Sequence, residues 1–103
     1  MISEDGTGTP GANSYATLAQ AADYHAARLN TAWTDADSAT QAAALIRATD
    51  YIEAHYPAPG ARLSPLQGLQ WPSAGATALP AAIVAATLFA GVLRAQGASH
   101  RPG

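Results

Sequence analysis

From Ala81 to Leu93 the chain carries no charged side chain and one hydroxyl, Thr87. Pro80 suits the first helical position, and Gly97 suits the cap beyond Gln96. A helix is therefore expected from about Pro80 to Gln96, and it is apolar on every side. A helix of that kind is normally buried all round. The wider apolar stretch, Leu79 to Leu93, is shorter than the ~20 residues a membrane span needs. Its cover must then come from protein. Two partner helices in a small domain can hardly enclose it, so part of its surface is expected to meet another subunit. Val84 and Leu88 are candidate interface residues there.

The 103 residues suffice for one domain with a modest core. Charged residues make up 12% of the chain, about half the usual share of a soluble domain. So little charge leaves little polar surface for a monomer and favours self-association. The net charge is -2, lysine is absent, and Arg28, Arg47, Arg62, Arg94 and Arg101 form no run. Nucleic-acid binders usually gather a basic stripe, because phosphate neutralisation supplies most of their affinity. With no cysteine there is no disulfide framework or thiolate chemistry. The first residues include Glu4 and Asp5 and no apolar run, so no secretory signal is read, and a soluble protein without a membrane partner is expected.

Two earlier helices are legible. Thr17-Leu18-Ala19-Gln20 fits a capping box. Leu18, Ala21, Ala22, His25 and Leu29 then share one face, with Asn30 as the stop. Trp33 lies in the link. Ser38-Ala39-Thr40-Gln41 reads as a second start, with Asp35 and Asp37 near the positive helix end. That helix runs to about His55, burying Ala42, Leu45, Thr49, Ile52 and Tyr56 with Ile46 and Tyr51 beside them. Pro57 and Pro59 end it. Residues 2 to 16 read as an extended arm broken by Gly6, Gly8, Pro10 and Gly11. Its glycine-rich part should order only against a neighbouring chain. Residues 57 to 79 form a long loop with four prolines. Leu63, Leu66, Leu69 and Trp71 give it apolar anchors, so order is expected, with Trp71 buried in its own subunit or against a neighbour. Residues 98 to 103 should be a disordered tail. The fold class is thus all-α: a small three-helix bundle in one domain, 1–103, with an arm (1–16), a helical core (17–97) and a long ordered loop before the last helix.

Catalytic chemistry is hard to find. Gly6-Thr7-Gly8-Thr9-Pro10-Gly11 has the look of a phosphate loop, yet it lacks the lysine, the preceding strand and the GK[ST] ending. His25, His55 and His100 are scattered, without converging carboxylates for a metal. His25 reads as a core-edge residue, and His55 as a partner of the negative helix end. Asp50 and Glu53 read as a solvated helix face. No serine or threonine stands near a histidine in a nucleophile motif. No enzyme activity, cofactor or metal is expected.

Two signatures remain: Glu4-Asp5-Gly6-Thr7-Gly8 followed by Ala12-Asn13-Ser14-Tyr15, and Gln67-Gly68-Leu69-Gln70-Trp71-Pro72. With Arg47-Ala48-Thr49-Asp50-Tyr51-Ile52 between them, this layout resembles a family of small tailed-phage proteins read as head–tail connectors (adaptor or head-completion proteins). Some members are labelled DnaT-like single-stranded-DNA-binding. The resemblance runs from about Ile2 to Leu93. Gly60 and Arg62 stand where the family tends to show a Gly/Arg pair. The basic residue that commonly follows Trp-Pro is missing, since Ser73 and Ala74 come next. The resemblance implies a structural virion protein: a homo-oligomeric ring of about twelve copies (a dodecamer) below the portal protein, closed by head-to-tail contacts. It would sit in the neck, assembled in the host cytoplasm, dock the next neck or tail protein, and pass DNA through its lumen without sequence-specific binding. Asn13, Ser14, Tyr15, Arg62, Leu69, Trp71 and Pro72 join Val84 and Leu88 as candidate interface residues. The alternative is a single-stranded-DNA-binding module, with tyrosines and tryptophans for stacking and arginines for phosphate.

Overall fold

The computed structural model describes residues 1–74 and 78–99. These form four helices: α1 (Leu18–Ala27), α2 (Thr31–Thr34), α3 (Ser38–His55) and α4 (Ala81–Ser99). Among the described residues there are isolated bridges but no strand, so the fold is all-α. The three expected helices are present, and the link around Trp33 is itself a single helical turn.

Local chemistry explains the helix starts. Thr17 accepts from the Gln20 N–H at 3.0 Å, and the Gln20 side chain accepts from the Thr17 N–H at 2.8 Å, which is the expected capping box. At α3 the cap is Asp37, whose carboxylate accepts from the Thr40 N–H at 2.7 Å. The expected cap was Ser38, one residue later; an ionised carboxylate is the stronger acceptor beside the positive helix end. α1 ends earlier than Leu29, which takes a φ of 55° and is 84% exposed. α4 runs through the expected cap at Gly97 to Ser99. Ala98 and Ser99 are thus helical, and the rest of the expected tail lies outside the described residues.

α3 and α4 form the main helix pair. Ala16, Ala21, Trp33, Ala44, Leu45 and Leu88 make one buried cluster, with Leu18, Tyr24 and Val84 packed against it. Ala12, Tyr15, Ile52, Leu69 and Ile83 make a second, flanked by Trp71, Leu79 and Ala86. Gly91 lets α4 approach closely: a Cβ there would lie 3.2 Å from Leu45 and 3.5 Å from the Trp33 ring. His25 is wholly buried rather than at the core edge. Its ring packs against Tyr24 and Trp33, with centroids 4.8 and 4.6 Å away.

The arm departs most from expectation. It folds back on its own chain without a neighbour. Asn13 N–H donates to the Ile2 carbonyl at 2.8 Å, and Glu4 N–H donates to the Ser14 carbonyl at 2.8 Å. The Glu4 side chain, 4% exposed, accepts from the N–H groups of Gly6 (2.8 Å), Gly8 (3.0 Å) and Thr9 (2.8 Å). The glycines read as breakers supply the positive φ values, 101° at Gly6 and 80° at Gly8, that turn those groups inward.

Candidate functional site

The two sequence signatures meet on the C-terminal half of α3. Tyr15 enters the core there, and its N–H donates to Thr49 Oγ1 at 3.2 Å. The Tyr15 hydroxyl donates to the Glu53 carboxylate and accepts from the Trp71 N–H at 3.1 Å. The Gln70 N–H donates to Glu53, 3.2 Å from each carboxylate oxygen. The Gln70 amide donates to the Glu53 carbonyl at 2.7 Å. Trp71 Nε1 donates to the Tyr56 carbonyl at 3.0 Å. The arm and the loop are thereby clamped to the C-terminal end of α3, from Thr49 to its cap residue Tyr56. Burial first, and the bond to Glu53 second, push the Tyr15 phenol far above its ordinary pKa of 10.0, so it stays a donor.

The loop is shaped by Gln67. Its side chain is buried and donates to the carbonyls of Leu69 (2.8 Å) and Pro72 (3.0 Å). It accepts from the Ser64 N–H at 2.8 Å. Across this tuck, Leu63 N–H donates to the Pro72 carbonyl at 3.1 Å, and Ala74 N–H donates to that of Ala61 at 2.8 Å. Gly68 abuts the arm: a Cβ there would collide with the Ala12 carbonyl oxygen and lie 2.6 Å from the Ala12 nitrogen.

Among the candidate interface residues, Ser14, Tyr15, Leu69, Pro72 and Leu88 are buried inside their own chain. Asn13, Arg62, Trp71 and Val84 keep surface. Within its own chain Trp71 is half-buried, while Pro72 takes the enclosed position. Leu66, expected as an anchor, is 71% exposed; its neighbour Gln67 turns inward because three backbone partners await it. Glu53 is no solvated carboxylate, and nothing in its local sequence signalled that. Gln67 and Gln70 were marked by the signature itself.

Arg28 and Arg62 each contact their own chain. Arg28 lies 3.7 Å from the Tyr24 ring centre, and its Nη1 donates to the Tyr24 carbonyl at 3.0 Å. Arg62 Nε donates to the Leu69 carbonyl at 3.2 Å. Around the Gly-Thr-Gly turn, the inward N–H groups that a phosphate would need already hold Glu4. Among the described residues no three His, Asp or Glu side chains cluster to hold a metal, and no helix is long and apolar enough to cross a membrane.

Opposite its packed side, α4 exposes Ala81, Ala82, Ala85 and Phe89, the last at 58%. Searches of curated proteins and of solved structures found no match. The profile of a family described as "Putative DnaT-like ssDNA binding protein" matches residues 1–100. With nearly its whole length matched, the chain belongs to the DnaT-like ssDNA binding protein family.

Proposed function

We propose that the chain is a structural subunit of a tailed-phage head–tail connector, joined to copies of itself in a ring between the portal and the next neck protein. One observation carries the reading: α4, uncharged from Ala81 to Leu93, packs one side on α3 and leaves Ala81, Ala82, Ala85 and Phe89 open. Apolar helix surface of this kind gains by contact with a partner. The resemblance of the arm and loop signatures to connector proteins supports it. The clamp supports it too, because a ring subunit needs a rigid body on which to carry its contacts. Mass spectrometry of purified particles of the encoding phage tests the role. Portal-like copy number is the expected result, and absence from mature particles would end this reading.

The second reading is single-stranded-DNA binding. Of the two, it is the one the family description names. The engaged Arg28 and Arg62 and the net charge of -2 weigh against tight binding, because phosphate contacts dominate such affinity. Titration of a labelled single strand at near-physiological salt separates the readings. Sub-micromolar affinity with a steep salt slope would favour the second.

A further inference from the structure

The exposed side of α3 carries a further row of side chains. Arg47, Tyr51 and His55 follow one another at intervals of four and are all exposed, so they are neighbours along one side of the helix. The Tyr51 and His55 rings are stacked, with centroids 4.0 Å apart and planes 22° from parallel. His55 Nδ1 lies 2.9 Å from the Tyr51 carbonyl oxygen. A carbonyl only accepts, so Nδ1 carries the hydrogen, and the bond holds the imidazole against the phenol. Tyr56, 49% exposed, follows directly. Its carbonyl is held by the Trp71 indole, which ties this end of α3 to the loop.

A flat aromatic pair presented to solvent, with an arginine one turn away, suits a chain of alternating planar and anionic groups. Bases stack on aromatic rings with little regard to sequence, and phosphate pairs with guanidinium. A duplex keeps its base faces inside and cannot use such a platform. We infer that a single nucleic-acid strand binds along this row, one base stacking on the Tyr51–His55 pair and a neighbouring phosphate meeting Arg47. The inference rests on the single-stranded-DNA reading above and gives it a site. Asp50, exposed on the same helix, opposes phosphate there and keeps the contact weak. Glu53 is turned into the clamp and does not face the strand.

Fluorescence anisotropy of a labelled oligo-dT at low salt is the test, on the full chain and on Tyr51→Ala, Tyr51→Phe and Arg47→Ala. Circular dichroism checks that each variant folds. The expected results are binding by the parent and about a tenfold loss in Tyr51→Ala. Tyr51→Phe, which keeps a ring, should bind like the parent. Arg47→Ala should lower the salt slope by about 0.7, the share of one phosphate contact on a single strand. Binding by the parent that is unchanged in folded Tyr51→Ala would place the strand elsewhere and overturn this site alone. No binding by the parent at low salt would overturn the site and the single-stranded-DNA reading together.

Discussion

The Tyr15 hydroxyl and the Glu53 carboxylate, 38 residues apart in sequence, are hydrogen-bonded to one another beneath the loop. The same hydroxyl takes the Trp71 N–H, and the same carboxylate takes the Gln70 N–H. Arm, helix and loop are therefore joined at two adjacent polar groups. Tyr15→Phe leaves the Trp71 N–H without its acceptor and Glu53 with only the Gln70 N–H of its two donors. The expected cost is about 2 kcal/mol, read from urea unfolding. A double-mutant cycle with Glu53→Gln should show non-additivity, because the two side chains share the interaction.

Gly68→Ala should be costly for a different reason. The added methyl meets the Ala12 backbone, which cannot swing aside as a side chain would. A loss of about 3 kcal/mol is expected, with the arm displaced from the loop. Thermal unfolding measures the loss. An unchanged melting temperature would show that the arm yields freely.

The Glu4 carboxylate holds three backbone N–H groups, so Glu4→Ala should release the arm. Hydrogen exchange at Gly6, Gly8 and Thr9 should accelerate, at a stability cost of about 3 kcal/mol. In the parent chain limited proteolysis should spare residues 4 to 12. Early cleavage there would mean that the arm opens despite these bonds.

Leu88 and Phe89 are adjacent on α4 but face opposite surroundings: Leu88 is 7% exposed and Phe89 58%. Leu88→Glu should cost several kcal/mol by burying an unpaired carboxylate. Phe89→Glu should leave the melting temperature nearly unchanged and weaken self-association, read by sedimentation. Normal assembly of Phe89→Glu would remove this face from the connector proposal.

His25 makes stability depend on pH. Asn30 Nδ2 lies 3.0 Å from His25 Nδ1 and donates to it, so the neutral ring carries its hydrogen on the buried Nε2, which has no hydrogen-bond partner. Burial, then the charge of Arg28, hold the ring below its ordinary pKa of 6.5. The unfolded chain thus takes up a proton at a higher pH than the folded one. The neutral ring's contribution is complete above pH 6.5 and is lost as pH falls through the depressed folded value. The loss should reach at most about 1.4 kcal/mol per pH unit. Unfolding series across this range should show the slope, and His25→Gln should flatten it.

Sequence alone determined the helices, because their signals are local. The Thr17–Gln20 box, the periodicity of Leu45, Thr49 and Ile52, and the stop at Pro57 each act within a few residues. It also marked the Gln67-to-Pro72 run and Tyr15 as special without showing why. The tertiary structure decided their purpose: Tyr15 and Gln70 converge on Glu53, a residue that by spacing alone reads as solvated surface, and Trp71 joins them through the Tyr15 hydroxyl. It likewise decided that the arm is folded. Gly6 and Gly8 break regular structure by any local rule, but their freedom of φ lets the backbone wrap the Glu4 carboxylate, and the missing side chain of Gly68 leaves room for Ala12. Helix propensity and capping act between near neighbours in the chain. The clamp depends on hydrogen bonds between segments up to 56 residues apart, and those form only once packing has brought the segments together.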